Sequence, residues 1–185
     1  MSHSRYHNEY EDNAVCFWTS SVVDYIPVLR SPAAARALLT MWDTYRARYG
    51  VKLLGYVVMP EHAHIAIWSP TAERAERFVE QTLRRSSAEI VGMTARAASA
   101  GNPLAVAWLE AFRSHGRGRT KARVWKERGR AFPVSSHEAL IEKLEYIHGN
   151  PVRRGLAESA EGWEFSSAAY YARGSGPIAM DEFSW

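Results

Sequence analysis

Cysteine occurs once in the chain, at Cys16. A disulfide framework is therefore excluded, and so is a zinc site built from several thiolates. No apolar run reaches the roughly eighteen residues that a membrane-spanning helix needs. The opening stretch, Met1 to Asn13, is polar and lacks the apolar centre of a secretory signal. There is no internal repeat, no heptad pattern and no His-Glu-x-x-His helix of the metalloprotease kind. From these absences we expect a cytoplasmic protein that makes no use of a membrane.

What is present is enough for one core. The chain has 185 residues, 46% of them hydrophobic, which fits a single packed domain with some decoration. The net charge of +3 says little, but its distribution says more. Arg113, Arg117, Arg119, Lys121, Arg123, Lys126, Arg128 and Arg130 crowd one stretch whose only acid is Glu127. Gly116, Gly118 and Gly129 loosen it. Local positive charge on a loose segment can grip phosphates; the bland reading is a solvated loop.

The pattern along the chain alternates between strands and helices. Asn13 to Tyr25 is rich in aromatic and β-branched residues and predicts a first strand. Ser31-Pro32 predicts a helix start, and Leu38, Trp42, Tyr45 and Tyr49 recur at helical spacing up to Gly50. Val51 to Val58 predicts a second strand. Met59-Pro60-Glu61 is too short for anything but a turn, so His62 to Trp68 should return antiparallel. Ser69-Pro70 opens a second helix, which Gly92 should stop; Asn102-Pro103 opens a shorter one over Leu104 to Phe112. Lys121 to Val134 predicts a fourth strand. Ser135 and Glu138 have capping-box spacing for a last helix, through Leu140, Leu144 and Ile147, that Gly149 and Pro151 should end. The expected fold class is α+β, a ferredoxin-like βαββαβ sheet with helices on one face plus an added C-terminal helix. Residues 1–12 and 172–185 are expected to be tails, and 92–121 a variable, basic, partly flexible insert.

Two constellations carry chemistry. In His62-Ala63-His64 the two imidazoles share one face of a strand, because side chains alternate. Ala63, Ile65 and Ile67 fill the other face. Two neutral imidazoles at this spacing can converge on a divalent cation, or each can simply hydrogen-bond on a half-exposed sheet. On the last helix, Tyr146 lies about 120° from the centre of the apolar stripe, with Asn150 four residues on. A tyrosine can attack phosphorus and store a phosphodiester bond; a free phenol ionises only near ~10, so a cation would help. An amide carbonyl is a suitable third hard ligand. Equally, Tyr146 can be a rim tyrosine and Asn150 a helix cap.

Segments of the chain then resemble a known family. Gly55-Tyr56-Val57-Val58-Met59-Pro60-Glu61-His62-Ala63-His64 resembles the histidine motif of the one-tyrosine transposases of the HUH superfamily of single-strand endonucleases. Tyr146-Ile147-His148-Gly149-Asn150-Pro151-Val152-Arg153-Arg154-Gly155-Leu156 resembles the tyrosine motif of one branch, the REP-associated tyrosine transposases. Trp163-Glu164-Phe165-Ser166-Ser167-Ala168 is similar to the segment that follows it there, and Val124-Trp125-Lys126-Glu127-Arg128 to the stretch before the last strand. The four stand in family order between about residues 13 and 171. Glu61 stands where Asn or Asp is usual, and Ala63 where a larger apolar residue is usual; neither is an expected ligand.

The resemblance implies a transposase-like domain over 13–171 that nicks and rejoins single-stranded DNA at palindromic, REP-like hairpins through a 5′-phosphotyrosine intermediate. It implies Tyr146 as nucleophile and His62, His64 and Asn150 as ligands of Mg²⁺ or Mn²⁺. Arg84, Arg85, Arg117, Arg119, Lys121, Arg123, Lys126, Arg153 and Arg154 are then the expected DNA-binding residues. The protein would be nucleoid-associated and act as a monomer or homodimer. Two rivals remain: a domesticated hairpin-binding protein that no longer cuts, and a small-substrate phosphoesterase using His148 or Glu61 as base.

Overall fold

The structure is a computed structural model and describes residues 9–118, 120–126 and 129–184. Its elements in chain order are β1 (Ala14–Ser21), α1 (Pro32–Tyr49), β2 (Lys52–Val58), β3 (His62–Ser69), α2 (Ala72–Ser99), α3 (Pro103–Ser114), β4 (Arg130–Val134), α4 (His137–Arg153) and α5 (Ala168–Arg173). The sheet order is β2-β3-β1-β4 and every neighbouring pair is antiparallel. Without α3, the run β1-α1-β2-β3-α2-β4 is the ferredoxin-like arrangement. Among the described residues no helix is long and apolar enough to cross a membrane.

Alternation along the strands builds two apolar layers. Trp18, Leu53, Tyr56, Val58, Ala63, Ile65 and Ile67 belong to one core, with Leu38 and Trp42 of α1 and Phe78 and Val79 of α2. Val15, Phe17, Leu54, Val57, Ala66 and Val134 turn the other way and cluster with Leu140, Leu144 and Ile147 of α4. The added helix thus covers the face that α1 and α2 leave open. That is the face on which His62 and His64 stand.

Gly55 lets α4 come close. The β2–β3 register shifts between Leu53 and Gly55, and a Cβ on Gly55 would collide with Leu144 Cδ2. Gly55→Ala should therefore force repacking along the α4 seam and cost about 1–3 kcal/mol. The check is urea unfolding: an unchanged midpoint would mean that α4 does not press on the sheet there.

The outer edge of β2 is also covered. Val58 N donates to Phe165 O at 2.8 Å, Ser167 N to Tyr56 O at 3.0 Å and Asp181 N to Leu53 O at 2.9 Å. Trp163 Nε1 donates to Val58 O at 2.9 Å. These bonds use backbone groups that a free edge strand would leave open to pairing with another chain.

Several boundaries differ from the sequence expectation. β1 stops at Ser21, because Asp24 and Tyr25 take positive φ and turn the chain. The cap of α2 is Thr71, whose side chain accepts from Arg74 N; Ser69 Oγ donates to Thr71 O instead. Gly92 does not stop α2, which runs on to Ser99. One interior glycine costs only about 1 kcal/mol, and the continuing turns bury Thr94 beside α3. The first residues of the 92–121 segment therefore continue α2, and the shorter helix expected after Asn102-Pro103 forms as α3. Among the described residues of the expected fourth strand, Arg130–Val134 forms the ladder with β1, and Trp125 makes an isolated bridge to Val22. The cap of α4 is Ser136, accepting from Ala139 N, not Ser135. Pro151 does not end α4. Asn150 O and Pro151 O accept from Arg154 N and Leu156 N, and Gly155, at φ +65°, makes the left-handed exit.

Candidate nucleotidyl-transfer site

The site forms where α4 crosses the end of β3. The His62 and His64 rings meet edge to face, with centroids 4.9 Å apart. The Tyr146 ring stands 5.9 Å from His64 at 77°. Phe17, from the neighbouring strand, stacks on His64 at 5.5 Å. Strand alternation put the imidazoles on one face; the Leu140-Leu144-Ile147 seam seats α4 so that Tyr146 overhangs them. Three of the expected site residues are thus brought together within one chain.

Each imidazole is oriented by its Nδ1. His64 Nδ1 is hydrogen-bonded to Thr19 Oγ1 at 2.7 Å, across the β1–β3 pair in which Thr19 lies opposite His64. His62 Nδ1 is hydrogen-bonded to Glu61 Oε1 at 3.0 Å. Among the described residues no hydrogen bond engages either Nε2. Burial pushes the His64 ring down to about 3, and the neighbouring His62 pushes it the same way. Burial also lowers His62, against the pull of Glu61. Both rings are thus neutral near pH 7; His62, donating from Nδ1 to the Glu61 carboxylate, keeps a lone pair on Nε2, and His64 does so in the tautomer that donates from Nδ1 to Thr19. A divalent cation takes such a donor set, and hydrogen bonds that fix the ring through Nδ1 are its usual accompaniment.

Asn150 lies one turn beyond Tyr146 and is buried. Its Oδ1 accepts from Arg153 Nη2 at 2.5 Å, and its Nδ2 is buried without a partner among the described residues. A carbonyl oxygen has two lone pairs, so Oδ1 can serve a cation beside the Arg153 bond. No group of three or more His, Cys, Asp or Glu side chains suited to a metal occurs among the described residues. The Asn150 amide is a donor of another kind.

Tyr146 is half exposed. The Arg153 guanidinium lies 4.9 Å from the centroid of its ring and also donates to Tyr146 O. Arg154 pairs with Glu61, tying the α4 exit to the β2–β3 turn. Four participants were not singled out from sequence as parts of this site: Thr19, Phe17, Ser167 and the orienting role of Glu61. Ser167 Oγ bonds His148 Nε2 at 2.7 Å and accepts from Tyr56 N at 2.9 Å, fastening α4 to β2. Burial lowers His148 to about 4. His148 Nε2 is thus engaged by Ser167, and Glu61 Oε1 is shared between His62 and Arg154.

The expected DNA-binding residues divide by place. Arg84, Arg123 and Lys126 line one cleft between α2 and the 120–126 segment. Arg85 is exposed on α2, Arg117 and Lys121 are exposed on or beside a tight turn in which Arg117 bridges Thr120, and Arg153 and Arg154 flank the tyrosine. Arg119 lies outside the described residues.

No family model matches the chain, and no curated protein matches it. Among solved structures, a REP-associated tyrosine transposase bound to a REP hairpin superposes with a TM-score of 0.60 at 18% identity. The alignment covers 97% of this chain and 92% of that one. A Deinococcus radiodurans R1 chain provisionally classed as a transposase aligns with a TM-score of 0.46 at 14% identity, over 77% of this chain and 94% of that one. The first comparison extends the shared fold past the ferredoxin-like core to nearly the whole chain.

Proposed function

We propose that this chain is a tyrosine transposase of the REP-associated kind, which nicks and rejoins single-stranded DNA at REP-like palindromic hairpins. The observation that carries the reading is the meeting of the Tyr146 ring with the His62–His64 pair across β3 and α4. A fold shared with a hairpin-bound transposase supports it.

His62 Nε2, His64 Nε2 and Asn150 Oδ1 would hold the cation, Mg²⁺ or Mn²⁺. When bound, it draws charge from the scissile phosphate and eases loss of the phenolic proton. Tyr146 Oη attacks phosphorus in line. The new bond joins Oη to the 5′-side phosphate; the bond to the 3′ oxygen breaks, and that oxygen leaves as a hydroxyl. The phenolic proton passes to solvent, and the leaving oxygen takes one up. One phosphodiester replaces another, so attack by a 3′-hydroxyl can reverse the step without an energy source. Arg153 holds Tyr146 and Asn150 in register, and its donors can pass to the phosphate. Burial by Phe17 and the Thr19 bond keep His64 in one orientation. All of these groups come from one chain, so a monomer has a complete set.

The test is a covalent-complex assay. A hairpin-bearing single strand from repeats flanking the gene is incubated with the protein, with and without Mg²⁺ or Mn²⁺, and run on a denaturing gel. A metal-dependent protein–DNA adduct is expected. Binding without an adduct would leave a hairpin-binding protein instead. Turnover of small phosphodiesters without trapping would favour the phosphoesterase.

A further inference from the structure

Tyr25 is held in an uncommon conformation for no reason that packing supplies. It and Asp24 have φ of +54° and +51°, a region that bulky residues avoid. Yet Tyr25 is 62% exposed and is not part of the core. Strain that persists without burial is a mark of binding surfaces. The turn is pinned on both sides. Val22 N donates to Glu61 O at 2.8 Å, next to His62, and Asp24 Oδ2 pairs with His115 Nε2 at 2.9 Å.

Lys126 completes the arrangement. Its Nζ lies 3.3 Å from the centroid of the Tyr25 ring. Its backbone N donates to Ser21 O at 2.9 Å, and Ser21 lies opposite His62 in the β1–β3 register. The pair therefore sits at the same end of the sheet as the imidazoles. Beside it opens a cavity of about 400 Å³ between α2 and residues 120–126. Leu83 and Trp125 form its apolar walls, and Arg84, Arg123 and Lys126 its basic ones. Trp125 is fixed there by a 3.0 Å bond from Nε1 to Ser86 Oγ. Among the described residues no carboxylate lines this cavity.

We propose that Tyr25, with Lys126 and the adjoining cleft, is a stacking platform for an unpaired base of single-stranded DNA that leads away from Tyr146. The ammonium takes one face of the ring and leaves the other for a base. Lys126, Arg84 and Arg123 meet the flanking phosphates. An exposed aromatic face beside clustered cations is the combination that single strands bind, because every base has a π face and every linkage a charge. The proposal rests on the reading of single-stranded DNA as substrate, and extends it to a second contact region.

The experiment uses the full chain and hairpin oligonucleotides with a single-stranded extension, carrying 2-aminopurine at successive extension positions. A blunt hairpin and polyglutamate serve as comparison probes. In the parent protein, one position should lose fluorescence on binding. Tyr25→Ala should abolish that quench and weaken binding of the extended hairpin by about tenfold or more. Tyr25→Phe should keep both, and blunt-hairpin affinity should not change. Tyr25→Gly, which relieves the positive φ, should lose the quench while its melting temperature holds or rises. Quench and affinity in Tyr25→Ala equal to the parent would overturn the platform, as would Tyr25-dependent binding of polyglutamate. Adduct formation by the parent with no quenched position would overturn the platform alone. No binding of any strand by the parent would remove the platform together with the reading beneath it.

Discussion

Tyr146→Phe is expected to bind hairpin DNA as the parent does and to form no covalent complex. The substitution removes one oxygen and nothing else. Tyr146 is half exposed, and the described contacts of its side chain are made by the ring: the edge-to-face meeting with His64 and the Arg153 guanidinium. Phenylalanine keeps both, so stability should stay within about 0.5 kcal/mol of the parent. Affinity should hold for the same reason, since the proposed phosphate contacts are assigned to other residues. Only the nucleophile is lost, and adduct yield should fall by at least about three orders of magnitude. The measurement pairs a binding titration with a denaturing gel. An adduct of normal yield in this variant would remove Tyr146 from the role.

Changing His62 and His64 together to alanine should abolish metal-dependent cleavage while binding to the hairpin survives. The two rings supply both of the outward nitrogens at the site. Asn150 alone offers one oxygen, already shared with Arg153, which is too little to hold a hydrated Mg²⁺. The double variant also carries a structural cost. His64 is 7% exposed, stacked on Phe17 and bonded to Thr19, so its loss leaves a small cavity and an unpaired hydroxyl, together about 1–3 kcal/mol. His62→Ala alone separates the two effects, because that side chain is more exposed and lies at the strand end. Its melting temperature should stay near the parent value while its cleavage is already severely reduced. Nicking that persisted in the double variant and still required metal would place the cation elsewhere.

Much of this architecture can be read locally. The β2–β3 hairpin follows from a turn too short for any other connection, and Met59 N donating to His62 O closes it at 2.8 Å. α1 begins at Ser31-Pro32 and ends at Gly50, with φ +64°, as the residue types imply. The failures share one physical form. Gly92 and Pro151 both weaken a helix by local rules, and both are overridden. In α2 the burial of Thr94 beside α3 outweighs a glycine. In α4 Pro151 is itself buried, and Gly155 offers the exit one turn later. Lys121 to Val134 has strand composition throughout, but among the described residues its continuous ladder with β1 is confined to the last five, with one further bond from Lys126 N to Ser21 O.

The same division runs through the site. By itself the sequence determined that His62 and His64 share a strand face, that Tyr146 stands beside rather than within the apolar stripe of its helix, and that cations gather between Arg113 and Arg130. Each of these follows from a repeat of two or of about 3.6 residues, or from composition, and needs no knowledge of neighbours. Tertiary structure alone decided which face α4 covers, and so that the phenol overhangs the imidazoles; it decided too that Thr19 orients His64, that Ser167 fastens His148, and that Arg153 rather than solvent meets the Asn150 oxygen. Those are meetings between segments far apart along the chain. They are selected by how the Leu140-Leu144-Ile147 seam fits onto Val15, Phe17 and Val57, a packing fit that no local periodicity encodes.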